Sequence, residues 1–253
     1  TLDHALRDRG GVNEVRRRSG GHPNHFAIRL DLNLPDGSSG HYAFKVGASP
    51  DGGFRVTDEE CVVLGDSVAQ YRVKKGVAES NLMERLPAVA DDRLYLVSVS
   101  SLDEFRPVYE QLMSMGFYNL VPSSIRDLQQ PDPGALLRRD GGNLASVLGQ
   151  LQVKRPDLLD RVTDYLSRLA PGVEGVEQRS LGPMESIEFR QQVEGRKAPW
   201  RFPATSMSDG TLRALGVLVA LLQANGRPPT LVGIEEPEVA LHPAAVDILI
   251  DAV

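Results

Sequence analysis

The sequence predicts an α/β chain: an antiparallel β lobe, then a helical insertion, then a helix and a strand that end in charged turns. Three patterns carry that reading. In FAIRLDLNL, Phe26, Ile28, Leu30, Leu32 and Leu34 alternate with polar residues, the period of a half-buried strand. In PDLLDRVTDYLSRL, Leu158, Leu159, Val162, Tyr165, Leu166 and Leu169 mark one face of a helix. In TLVGIEE, a short apolar run ends in two carboxylates, Glu235 and Glu236.

Taken in order, Leu2 to Arg9 reads as the tail of a helix stopped by Gly10 and Gly11. VRRRSGGHPNH is a basic, Gly-rich loop. After the first strand, PDGSSG turns the chain, and Tyr42, Phe44 and Val46 alternate again. SPDGG turns it once more before Phe54 and Val56, and the pattern continues near Cys61–Leu64 and Tyr71–Val73. Residues 25 to 75 are therefore expected to form an antiparallel meander with one wet face. DRLYLVSVS fits either a short strand or an entry to a helix. Ser101 with Glu104 forms a capping box, followed by Phe105, Val108, Leu112 and Met115 at helical spacing. Two further helices part near Pro156. Strands return at ESIEFRQQV and WRFPA, joined by EGRKA. A helix from about Ser208 to Ala224 and the strand TLVGIEE follow, with a final helix beginning near Pro243.

Composition narrows the class. The 253 residues are 41% apolar and 25% charged, the balance of a globular chain with a sizeable core. The formal charge is −6 and aromatic residues are 6%, so neither a basic coat nor a base-stacking platform is evident. Cys61 is the single cysteine, which rules out an internal disulfide and a cysteine zinc site. It is expected to be a buried small residue in a reducing compartment. No apolar run has the length of a membrane span and no secretory signal is visible. A cytoplasmic protein with no membrane partner is the expectation. The chain starts without Met and stops in the amphipathic DILIDAV, so both ends are expected to be cut or to adjoin further sequence.

Two stretches carry chemistry. Leu231, Val232 and Ile234 suit a buried central strand of an α/β sheet, and ligands bind at the carboxyl ends of such strands. Two carboxylates packed there repel each other unless a cation or donors lie nearby. A magnesium ion with a triphosphate supplies that charge. One carboxylate then holds the metal through its water shell, and the other orients or deprotonates an attacking water. Taken alone, the pair also fits a helix N-terminus decorated with acids. In SMSDGTLRAL, Ser206 or Ser208 can cap the helix, Asp209 lies in its first turn, and Gly210 lets a ligand approach the backbone amides. Leu212, Ala214, Leu215, Val217, Leu218, Val219, Leu221 and Leu222 make the helix apolar nearly all round, so it is expected in a core. Taken alone, this stretch also reads as an ordinary capped core helix.

Together the two stretches resemble the signature and Walker B motifs of ABC-type ATPase heads in the RecF and SMC group. Ser208-Asp209-Gly210-Thr211 stands at the signature, and Leu231 to Ile234 with Glu235 and Glu236 at Walker B. Glu235 replaces the usual Asp at the metal position, as in the smaller RecF-like and OLD-like ATPases. Leu241, His242 and Pro243 fall at the D-loop, and EEPExxLHP is characteristic of that branch. RDRGG, FYNLVPSSIRDLQQP and DGGNLASVL also look like its bacterial AAA-type members. The resemblance implies an ABC-ATPase-like head divided as an incomplete N-terminal β lobe (1–100), a helical insertion (101–172), and the signature and Walker B part (173–253).

No G-x-x-x-x-G-K-[ST] occurs in the sequence, although that loop is what cradles phosphates. The resemblance places it before Thr1, and the family's switch histidine after Val253. His4, His22, His25, His41 and His242 do not fill the latter role. The implied activity, given such a loop outside this sequence, is Mg2+-dependent ATP hydrolysis by a head-to-head homodimer. Glu235 serves the metal and Glu236 the water, while Ser208, Asp209, Gly210 and Thr211 close in trans over the ATP of the other copy. Leu241 and His242 lie in the D-loop-like turn. The first expectation for function is a DNA transaction in repair, maintenance or anti-phage defence. Arg16, Arg17 and Arg18, with Arg7 and Arg9, are candidate phosphate contacts or a solvated basic loop, and Arg138-Arg139 is a weaker candidate. The alternatives are a regulatory ATPase acting on a nuclease or toxin, and a scaffold without turnover. A transporter head is disfavoured by the β lobe and by EEPExxLHP.

Overall fold

A computed structural model describes residues 2–16, 24–49, 52–195, 198–223, 231–237 and 245–251. The chain divides into two compact units, Thr1–Met113 and Ser114–Val253. The boundary falls inside the stretch 101–172, so that stretch contributes to both units.

The first unit opens with helices α1 (Leu2–Arg7) and α2 (Val12–Val15), separated by Gly10 and Gly11 at φ 76° and 85°. Left-handed backbone of this kind ends a helix at little steric cost only for glycine. Strands β1 (His25–Asn33), β2 (Ser39–Ala48), β3 (Phe54–Leu64), β4 (Val68–Lys74) and β5 (Val77–Ser80) form an antiparallel sheet in sequence order. This is the predicted meander with one further strand. β4 and β5 are joined by Lys75 and Gly76, both at positive φ, the tight two-residue turn whose twist matches paired strands. Tyr42, Val46, Val56, Cys61, Val63, Ala69, Tyr71 and Val73 are buried on the inner face. The alternation fails at one point: Ile28 is 41% exposed, although Leu32 and Leu34 are buried as expected.

DRLYLVSVS resolves as a helix, α3 (Leu96–Val99), followed by α4 (Arg106–Met113). The capping box at Ser101 is not used. Residues 101–105 are turns, closed by Leu102 N–H to Val99 O at 3.0 Å and Phe105 N–H to Leu102 O at 3.1 Å. The reason is Pro107. A helix capped at Ser101 would carry that proline in its interior, where it lacks a donor and collides with the preceding turn. Starting at Arg106 puts Pro107 in the first turn, where it is tolerated. Phe105 and Val108 are buried, and Tyr71 meets Phe105 edge-on at 5.0 Å between ring centroids.

One charged group lies inside this core. Glu59 is 2% exposed, and its carboxylate accepts from Tyr71 Oη (2.7 Å), Tyr42 Oη (3.1 Å), Leu96 N (2.7 Å) and Tyr95 N (2.5 Å). It pins the start of α3 to the sheet. Burial is the largest influence on its carboxyl and pushes its pKa up, while the four donors pull the other way. Cys61 is fully buried as expected. Burial, and secondarily the charge of Glu59, push its thiol up to about 12.

The second unit is α/β. Strand β6 (Gly116–Tyr118) is followed by helices α5 (Pro122–Arg126), α6 (Leu144–Lys154) and α7 (Pro156–Leu169), the last two parting at Pro156 as expected. Strands β7 (Val173–Leu181), β8 (Met184–Gln191) and β9 (Trp200–Pro203) form an antiparallel sheet. The sequence reading finds β8 and β9 but not β7. A bulge between Val173 and Gly175 breaks its alternation, leaving Gly175 and Val176 buried side by side. Helix α8 (Asp209–Leu222), strand β10 (Val232–Ile234) and helix α9 (Ala245–Asp251) complete the unit. The core joins α6, α7, α8 and the inner residues of β7 and β8, including Leu148, Val162, Leu166, Ile187, Phe189, Leu215 and Leu218.

Candidate functional site: a helix turn and a strand end on one buried frame

β10 pairs in parallel with β6, Val232 opposite Gly116 and Ile234 opposite Tyr118. The predicted strand is therefore present, though half-buried rather than buried, and β6 is its only partner among the described residues. Phe117, 58% exposed, lies opposite Gly233, where a Cβ would come within 2.7 Å of the ring. This contact admits only glycine at 233 without a shift.

Past the strand end, Glu235 N–H donates to Tyr118 O at 2.8 Å. Glu235 and Glu236 are both exposed. The carboxylate of Glu235 accepts from Arg139 Nη2 at 2.7 Å. The cation expected beside the carboxylate pair is thus supplied, at Glu235, by the protein itself. Glu236 adopts φ 47°, one of two non-glycine residues described in the left-handed region. For a non-glycine residue that backbone is uncommon, and such positions cluster at functional sites.

At the other motif, Ser208 is the residue that caps α8. Its Oγ accepts from Thr211 N at 3.1 Å and lies 2.9 Å from Thr211 Oγ1. One first-turn donor is therefore already taken by the cap. Asp209 is ion-paired with Arg126, which also donates to Met207 O at 3.2 Å. Arg126, at the end of α5, therefore grips both sides of the Ser208 turn. Behind it α8 is buried nearly all round, as expected.

The residues that connect these two motifs carry no motif of their own. Arg213, on α8 and 7% exposed, donates from Nη2 (3.0 Å) and Nε (3.3 Å) to Leu120 O, and from Nη1 to Glu236 O at 3.5 Å. At the far end of α8, Gln223 donates to Tyr118 Oη at 2.6 Å and accepts from Leu137 N at 2.8 Å. Helix α8 is thus tied at its far end to Tyr118 of β6, and near its start to Leu120, two residues past that strand, and to the backbone of Glu236. A signal existed: Arg213 is the only charged residue in α8 after Asp209. Replacing Arg213 by Met should leave the buried Leu120 carbonyl without these donors and lower stability by about 1–3 kcal/mol, read by chemical denaturation.

Among the DNA candidates, Arg7 pairs with Asp3 at 3.0 Å, and Arg9 donates to Ala5 O at 3.1 Å. Arg16 closes α2, its N–H donating to Val12 O at 3.0 Å. Arg138 and Arg139, the weaker nucleic-acid candidates, pair with Asp132 (2.8 Å) and Glu235. Arg17, Arg18, Leu241 and His242 lie outside the described residues.

Magnesium suits this arrangement. It takes hard oxygen donors, typically one or two carboxylates together with substrate phosphates rather than a full protein cage. Glu235 and Glu236 supply such oxygens, and no cluster of three or more His, Cys, Asp or Glu forms a cage among the described residues. No described helix is long and apolar enough to cross a membrane.

A search of curated proteins found no match. A family match covers residues 122–253, just over half of the chain and both motifs. With the signature-like turn and the Walker B-like strand end inside that match, the chain belongs to the AAA_21 family, described as "AAA domain, putative AbiEii toxin, Type IV TA system".

Proposed function

We propose that this chain belongs to an ATP-binding and hydrolysing head that dimerises around ATP and controls a protein effector, such as a toxin or nuclease. The frame formed by Arg213 and Gln223 carries this reading, because it mounts an anion-suited helix turn and a carboxylate-bearing strand end on the same buried elements. Glu235 would hold the metal, which supplies positive charge at the transferring phosphate. Glu236 positions the water. Ser208, Gly210 and neighbouring amides close over the ATP of the second copy, and Leu241 and His242 stand in the sequence at the D-loop position.

The effector reading agrees with the toxin systems in the family description. For DNA, Arg7 pairs with Asp3 in α1, and Arg9, just past that helix, donates to the carbonyl of Ala5. Turnover stimulated by DNA, with the stimulation lost at high salt, would favour a DNA partner over a protein effector.

The test is complementation in trans. Full-length Gly210→Asp and Glu236→Gln should each be inactive, and a mixture of the two should recover about a quarter of wild-type ATPase activity, because half of the dimers are mixed and each holds one intact site. A mixture as inactive as its parts would place the turn in its own chain's site. Wild-type full-length protein that neither binds nor hydrolyses ATP would overturn the enzyme reading.

A further inference from the structure

We propose that Arg139 is an exchangeable counter-ion for Glu235, holding the carboxylate at the strand end and releasing it when a magnesium–nucleotide complex binds. The inference rests on the reading of Glu235 as the metal carboxylate.

The backbone of Arg139 is fixed at this spot. Asn119 N–H donates to Arg139 O at 2.9 Å and Val121 N–H to Asp140 O at 3.0 Å, so residues 139–140 run beside the chain leaving β6. Glu235 bonds to Tyr118, one residue before Asn119. The loop is closed by Gly141 at φ 82°, where a Cβ would lie 2.7 Å from Ile125 Cγ1, and by Gln129, which donates to Gly141 O at 3.3 Å. The arginine is thus delivered to the carboxyl end of β10 by backbone bonds, and only its side chain needs to move.

The pair itself is weak enough to exchange. The side chains of Arg139 and Glu235 are 48% and 57% exposed. Exposed pairs of this kind contribute about 0.2–1 kcal/mol, whereas breaking a buried pair costs several times more. A divalent cation backed by phosphates can displace a guanidinium held so loosely. Without Arg139, the Glu235 carboxylate would stand beside the exposed Glu236 without this counter-ion.

Mn2+, a paramagnetic stand-in for Mg2+, gives the test. It is titrated into the full-length protein alone and with a non-hydrolysable ATP analogue, free Mn2+ being read by electron paramagnetic resonance. With the analogue, Arg139→Gln should bind Mn2+ about two- to fivefold tighter than wild type, Arg139→Lys less so, and thermal melting of both should match wild type. Unchanged or weaker Mn2+ binding in Arg139→Gln overturns the proposal. So does a large drop in its melting temperature, because the pair would then be structural. If Glu235→Gln binds Mn2+ as wild type does, the assignment of the metal carboxylate fails instead.

Discussion

In the full-length protein, Glu236→Gln should lower ATP turnover by about 10²- to 10⁴-fold while leaving ATP binding and folding intact. Glutamine keeps the shape of the side chain but cannot take a proton from water. Glu236 is exposed, so stability should move by no more than about 0.5 kcal/mol. Its backbone is set independently of its charge, by φ 47° and by the contact from Arg213 to its carbonyl, and both survive the substitution. The ATP-bound dimer should persist longer in the variant because hydrolysis releases it. Turnover near wild type would remove Glu236 from the chemistry. Loss of ATP binding together with turnover would mean that it acts in the ground state.

The largest stability effect is expected at Glu59. Glu59→Ala strips the acceptor from two buried tyrosine hydroxyls and two backbone amides at the start of α3. An unsatisfied buried donor costs about 1–3 kcal/mol. The four losses overlap, since the site can relax and admit water, so a total of at least about 3 kcal/mol is expected. Glu59→Gln should cost less, because one oxygen still accepts, although its amide faces donors. Cys61 reports the result from within the same sheet. Fully buried, with its thiol pushed up to about 12, it should resist alkylation in the folded chain and react on unfolding. Alkylation at a urea concentration that wild type tolerates would confirm the loss in Glu59→Ala. Equal protection in both proteins would show that the four hydrogen bonds contribute little.

Legibility in the sequence followed the range of the interactions. The β1–β4 meander shows through because its inner face alternates, and α7 through its apolar stripe. α8 shows because a serine cap precedes an apolar run. β7 stays hidden where a bulge puts two neighbours on one face. The false helix start at Ser101 came from weighing a local capping signal without Pro107, which the same sequence contains. At the site, the places of Glu235, Glu236 and Ser208 at the ends of elements are legible because they follow from the type of residue there. Arg126, Arg139 and Arg213 are not, since each acts on a residue 83, 96 and 23 positions away respectively.

By itself, then, the sequence determined the β1–β4 meander, the capped apolar helix, and the carboxylates at a strand end. These are set by periodicity and by local hydrogen bonding within a few residues. Only the tertiary structure decided that Glu235 is held by Arg139, that Asp209 is held by Arg126, and that Arg213 joins α8 to the backbone of Glu236. Long, flexible arginine side chains can reach many carboxylates and carbonyls. Which one they meet is decided by how β6, β10 and α8 pack, and no local pattern in the chain encodes that packing.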